Sequence, residues 1–532
     1  MATSSGITVP GTAGGIVTVS AGVGDVLHLA QQIADALASI NGSIGGLDLT
    51  EVTVHGGSPH APPFSTKGGA ASEIVIEGGG GLLTRVPSGY NYVINASTSH
   101  TTIVATNTQL LGNDLGGTFL VSGTSTVAAT GGNNIVSVGG TYQVSTATGD
   151  DLLVGSGTGT LAAGSGVNTI LASAGGGSDT IISAGQDDIF AYASNVSVTS
   201  SGSNTLMFGG AGTVTGAFSG ASATIVAGSG PGSVTASGSS ALLFGGSFTA
   251  GGSMSADVTG TNATVVAGTG RTDVRSSGSN ALIGARPGAG SSQLNVTDTG
   301  TNTTIIGGGA GTSTTVTASG TGILVGGQDG DLLFIGGTNA ATVFGSAAAS
   351  ETLIGGSGGI NYNDFGANAT VIGGSATSTL FGGNGGSITF NSSLGGAQYQ
   401  AMSGNATLNA GGSSTSNLMV GGQDPTGHTL LFGGSGSDTL IAGAGLDTMT
   451  GSAGNDFFVF FKSFTHGQTD VVTDLSANDI VLFAGYGQTA SLILGTAIVS
   501  SGNSTITLSD NTKITFLGVS DLASKSGQFG AA

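Results

Sequence analysis

The chain has 532 residues, 104 of them Gly and 8 Pro, with 38% hydrophobic and only 7% charged residues. Eight Lys and Arg against 28 Asp and Glu leave a formal charge of −20, which repels nucleic acid and leaves no basic patch to neutralise phosphates. With no Cys there is no disulfide frame, and no run of 18 apolar residues exists to make a membrane-spanning helix.

The apolar content separates the chain from disordered Gly/Ser tracts, which cannot bury a core. Residues rich in Gly, Ser, Thr, Ala and Val but poor in Lys and Glu favour stacked strands and turns. From Met1 to Gly6 there is neither a basic nor an apolar segment, so no Sec-type signal is expected there. A helix is expected from Asp25 to Ile40, where Val26, Leu29, Ala30, Ile33, Leu37 and Ile40 fall at three- and four-residue steps and Gly42 follows as a stop. Strands follow at Glu51–Val54 and Glu73–Ile76, separated by a loop over Ser58–Pro63. Residues 1–96 therefore read as a small α/β head or cap, which the open end of a stacked fold requires.

From residue 97 the chain becomes an imperfect repeat. Apolar pairs recur at Met207-Phe208, Ile225-Val226, Leu243-Phe244, Val265-Val266, Leu282-Ile283, Ile305-Ile306 and Leu324-Val325. Their steps are 18, 18, 22, 17, 23 and 19 residues, and downstream they often halve to nine or ten. The expected class is all-β: a long parallel β-solenoid (β-helix or β-roll) with two strand–turn units in each coil of about 18 residues. Residues 97–432 would form its body, running unbroken to residue 459 in about twenty coils, with the pairs pointing inward and stacking. The longer steps imply loops expelled to one side. Asn204, Asn262, Asn280, Asn302 and Asn368 recur in the turns, either as simple turn formers or as amide ladders between coils.

The sharpest motif follows at 433–459. Gly433-Gly434-Ser435-Gly436-Ser437-Asp438-Thr439-Leu440-Ile441 fits G-G-x-G-x-D-x-U-x at every specified position. Two further copies carry Asp447 and Asp456, and this segment resembles the RTX (hemolysin-type calcium-binding) family. A degenerate copy runs from Ala174 to Ala191 with Asp179 and Asp188, and weaker ones hold Asp151 and Asp331. Calcium takes six or more oxygen ligands, which Asp carboxylates and the carbonyls of Gly turns supply. The resemblance implies an ion between turns two nonapeptides apart, so Asp438 and Asp456 would share one. Asp447 would meet only Thr429 or Thr465. The metal candidates are thus Asp438, Asp456, Asp447, Gly433, Gly434, Gly436, Asp179 and Asp188.

In residues 460–532, Thr469–Leu475, Asn478–Leu482, Ser504–Asp510 and Ile514–Val519 resemble the segments that follow RTX repeats in exported proteins. The resemblance implies a C-terminal cap carrying an uncleaved type I secretion signal, with Phe457–Phe461 plugging the roll. No enzyme activity is expected. The six His residues (28, 55, 60, 100, 428 and 466) show no paired metal spacing, and no nucleophile elbow with a plausible His partner stands out. Arg271, Arg275 and Arg286 are the only basic cluster, among mostly small neighbours.

The expected function is a secreted extracellular structural protein that self-assembles into a surface layer, sheath or biofilm-matrix fibre, with calcium-stabilised folding. The alternative is a cell-surface adhesin holding a cell or polysaccharide through the N-terminal head. Ice binding would need regular Thr ranks, and Thr213-Val214-Thr215 and Thr315-Val316-Thr317 do not recur on the coil period.

Overall fold

A computed structural model of the chain describes residues 6–10, 16–20, 25–42, 47–55, 71–79, 83–172, 177–246, 252–286, 292–327, 329–347, 349–366, 368–383, 385–392, 394–465 and 467–532. The residues at 1–5, the loop expected over 58–63, the first residues of the degenerate repeat at 174–176, and His60 and His466 lie outside them.

The fold is all-β: a parallel β-solenoid of about 20 turns roughly 18 residues apart, with little helix and a small N-terminal α/β region. It divides into two compact units, Met1–Thr264 and Val265–Ala532. Each unit has two parallel strand stacks, because every coil contributes one strand to each. In the first unit one stack runs through Ser178–Ser183, Asn195–Ser200, Val214–Phe218, Gly232–Ala236 and Met254–Val258. The other runs through Thr169–Ala172, Asp188–Ala191, Leu206–Phe208, Thr224–Val226 and Leu242–Phe244. The second unit repeats the plan from Arg271–Ser276 and Leu282–Gly284 onward.

The apolar pairs are split between core and surface. Met207, Ile225 and Leu243 pair in register and are fully buried, as are Ile283, Ile305 and Val325. Their partners Phe208, Leu282 and Leu324 lie on the outer face, 37–41% exposed. Strand side chains alternate with period two, so adjacent residues cannot both face the core. The expectation that both members point inward is corrected accordingly.

The turns show why Asn recurs. Asn204, Asn262, Asn280 and Asn302 adopt φ of 55–59°, the left-handed region that Asn tolerates best among residues with a side chain. Ser222 and Ser240 take the same conformation at φ 58° and 57°, although nothing in their residue type announces it. The Asn302 amide donates to Asn280 Oδ1 at 3.3 Å, one rung of an amide ladder. Asn368 differs: it opens the strand Asn368–Ile372, and its Oδ1 accepts from Ser387 N.

Parallel stacking starts upstream of residue 97, since Leu47–His55, Ala71–Gly79 and Tyr92–Ser97 already pair in parallel. The helix Asp25–Asn41 ends as its spacing predicts, with Gly42 N donating to Ala38 O. Its apolar face, Val26, Leu29, Ala30, Ile33 and Leu37, packs on Val75, Ile94, Leu111 and Ala128. The helix therefore covers the outer side of several coils. At the other terminus, coils continue past the aromatic run: Phe457–Phe461 pairs with Ile480–Ala484, which pairs with Phe529–Ala531. Phe458 and Phe460 are core residues of one more coil, not a terminal plug. Parallel stacking gives way to antiparallel strands where Asn503–Thr507 pairs with Lys513–Phe516.

Candidate metal site

The motif Asp sits immediately before, or at the start of, a strand, two residues from a core side chain. Asp438-Thr439-Leu440 and Asp456-Phe457-Phe458 each bury the first and third residues and turn the middle one outward. Leu440 and Phe458 pair in register, so their Asp residues stack as well. A ladder results. Asn417 N and Nδ2 both donate to Asp438 Oδ1 at 2.8 Å, Asp438 N donates to Asp456 Oδ1 at 2.8 Å, and Asp456 N donates to Asp479 Oδ1 at 3.0 Å. Asp438 Oδ2 also accepts from Gly434 N at 2.6 Å, folding the carboxylate back over its own turn.

The glycines are fixed by that approach. A Cβ on Gly433 would lie 2.5 Å from Asp438 Oδ2 and 2.4 Å from the Gly451 carbonyl. Gly434 and Gly436 likewise lie too close to the backbone of the preceding coil, at Ser413 and Thr415, for any side chain.

Asp447 belongs to the opposite strand stack. It pairs with Thr429, as the spacing predicts, and its N–H donates to Asp470 Oδ1 at 3.1 Å. The neighbour on that side is thus Asp470 and not Thr465, whose hydroxyl bonds Tyr486 and Asp510. Asp470 and Asp479 escaped the repeat count because the coil after Asp456 is 23 residues long. Their own D-x-U pattern, Asp470-Val471-Val472 and Asp479-Ile480-Val481, is the signal that finds them.

The electrostatics of these carboxylates call for a cation. Burial raises Asp456 to a pKa of about 6, with Asp479, Asp438 and Asp474 adding like-charge repulsion. Burial likewise raises Asp447 to about 7 and Asp470 to about 8, the latter helped by Asp447. Asp456 Oδ2, Asp447 Oδ1 and Asn417 Oδ1 are buried without a hydrogen-bond partner in the protein. Orphaned oxygens beside repelling carboxylates are the donor set of a hard divalent ion. No group of three His, Cys, Asp or Glu side chains converges among the described residues, so turn carbonyls and water would complete a coordination shell. The residues present therefore fit calcium, which Asp438 and Asp456 would hold in one stack and Asp447 and Asp470 in the other.

The upstream candidates separate. Asp179 is buried and accepts a hydrogen bond from the Tyr142 hydroxyl. Asp188 starts the strand Asp188–Ala191 and is only half-buried, whereas Asp187 is fully buried. The ladder position thus falls to Asp187, because strand alternation turns Asp188 outward. Asp331 is exposed at a strand start.

No curated protein matches the chain. A family model described as RTX calcium-binding nonapeptide repeat, in four copies, matches residues 426–459. The match begins upstream of Gly433 and takes in Gly427-His428-Thr429-Leu430-Leu431, where Thr429 holds the Asp position. The stacked carboxylates, the glycines beneath them and this match agree: over residues 426–459 the chain carries RTX calcium-binding repeats, and its ion is calcium.

Proposed function

We propose that the chain is a secreted, non-catalytic structural protein that associates with copies of itself into an extracellular layer, sheath or fibre once calcium has ordered its repeats. Export would use a type I pathway with the signal inside 460–532, as RTX-repeat proteins are typically secreted. Calcium outside the cell would then drive folding where the protein is needed.

The observation that carries this reading is an apolar file on the outer face of the short-strand stack. Leu171, Phe190, Phe208, Val226 and Phe244 follow one another in register in the first unit, and the Phe190 and Phe208 rings stack at 5.4 Å. The second unit exposes Leu282, Leu324, Leu418 and Phe457 on its own outer face. A repeating apolar file on a protein with so few charges suits lateral packing, which removes it from water at little desolvation cost. Charge of −20 opposes association, and divalent ions bridge or screen it.

Light scattering and negative-stain microscopy of the full chain, with and without calcium, test the reading. Ordered assemblies that need calcium, and that a Phe190→Ser/Phe208→Ser chain fails to form, support it. A monodisperse monomer at high protein concentration with calcium overturns it and favours an adhesin.

A further inference from the structure

The Asp ladder of the calcium repeats has a counterpart far upstream of residue 426. Four turns of the first unit read Gly132-Asn133-Asn134-Ile135-Val136, Gly149-Asp150-Asp151-Leu152-Leu153, Gly166-Val167-Asn168-Thr169-Ile170 and Gly185-Gln186-Asp187-Asp188-Ile189. Each is G-x-[N/D]-x-U, the second half of the nonapeptide. The final apolar residues Val136, Leu153, Ile170 and Ile189 are fully buried and pair in register, so the four polar residues stack.

The bonding is the same rung by rung. Asn134 N and Nδ2 donate to Asp151 Oδ1 at 2.8 and 3.0 Å, as Asn417 does to Asp438. Asp151 N donates to Asn168 Oδ1 at 3.0 Å, and Asn168 N and Nδ2 donate to Asp187 Oδ1 at 3.3 and 2.7 Å. The leftover oxygens also correspond. Asn134 Oδ1, Asp151 Oδ2 and Asp187 Oδ2 are buried with no hydrogen-bond partner in the protein, as Asn417 Oδ1 and Asp456 Oδ2 are. Asp151 is 2% exposed and Asp187 fully buried.

A buried carboxylate oxygen with no donor costs free energy that nearby packing does not return. Two such oxygens on one ladder, Asp151 Oδ2 and Asp187 Oδ2, are the carboxylate donors that a hard cation prefers. The neighbouring carbonyls of Gly132 and Gly149 approach the glycine Cα of the next coil so closely that Gly149 and Gly166 have no room for a Cβ.

We propose that the Asn134–Asp151–Asn168–Asp187 ladder is a second calcium-binding region, separate from residues 426–459. Each step from Asn to Asp holds one carboxylate and one amide oxygen, where Asp438 and Asp456 supply two carboxylates. Affinity follows ligand charge, so this region binds calcium more weakly than the repeats do. It stabilises the first unit at the millimolar calcium found outside cells, after the tighter repeats have filled.

The test is calcium binding to the full chain by equilibrium dialysis over micromolar to millimolar free ion. An Asp151→Asn/Asp187→Asn chain keeps the ladder acceptors, since Asn already occupies alternate rungs. It is expected to lose the weaker binding phase, about one ion per chain or more, while the tighter phase persists. A second chain, Asp438→Asn/Asp447→Asn/Asp456→Asn, is expected to lose the tighter phase and keep the weaker one. Unchanged binding in the first chain overturns the proposal. So does a complete loss of calcium in the second, which keeps the test decisive should the first not fold.

Discussion

The backbone N–H of Asp438 donates to the carboxylate of Asp456 at 2.8 Å, across 18 residues of sequence and one coil of the solenoid. That single bond ties the period of the repeat to the chemistry of the site. A carboxylate placed at the same point of every coil becomes the acceptor for the coil before it, and a column of acids is assembled by the stacking itself. Hydrogen bonds satisfy both oxygens of Asp438 but only one of Asp456, and Asp456 Oδ2 is left for an ion.

Replacing Asp438 by Asn should weaken calcium binding at 426–459 by about tenfold or more, because affinity depends on ligand charge while the acceptor for Asn417 is kept. Asp456→Asn should act alike. Isothermal titration with calcium measures both, and undiminished affinity in the two variants would remove these residues from the ligand set.

Leu282 and Ile283 are adjacent, yet their substitutions should differ sharply. Ile283→Ala empties a fully buried site and is expected to cost about 2–5 kcal/mol. Leu282→Ser alters an outer residue that is 41% exposed and should stay within about 0.5 kcal/mol. Denaturant unfolding of the two variants reads the difference, and equal costs would contradict the inward–outward split.

Ser222 holds φ of 58° at a cost that glycine does not bear. Ser222→Gly is therefore expected to stabilise the first unit by about 1 kcal/mol. Asn262→Ala, at φ 56°, should destabilise it by a similar amount. Thermal melts of both chains beside the parent check the signs.

Glu73 lies fully buried on Ala71–Gly79, with both carboxylate oxygens unpartnered, and burial raises its pKa to about 8. A carboxyl that stays protonated in the fold but ionises in the unfolded chain favours folding only at low pH. Its contribution is fully present below the unfolded value near 4.5 and is lost as pH rises through about 8. Stability should therefore fall from about pH 5 to about pH 8, and Glu73→Gln should remove that part of the slope. Unfolding midpoints of the two proteins across that range decide it, and identical slopes would refute it.

Much of this protein is written in one dimension. Apolar residues at steps near 18 dictate stacked coils, and the G-x-D-x-U spacing alone places Asp438 beside Asp456, because residues one coil apart in sequence are neighbours in space. The helix at 25–41 is legible for a similar reason, since its three- and four-residue steps describe a single apolar face.

Register and insertions belonged to the tertiary structure. Which member of an apolar pair enters the core depends on strand alternation, and a shift of one residue exchanges the two faces. For the same reason Asp187, not Asp188, joins the ladder. Asp447 meets Asp470 only because the 23-residue coil between them closes in register like its shorter neighbours. The bond from Tyr142 to Asp179 spans 37 residues, and it forms because the bare backbone of Gly159 lets the Tyr142 side chain pass. Sequence spacing records distance along one coil; contacts that skip a coil depend on what the coil between leaves open.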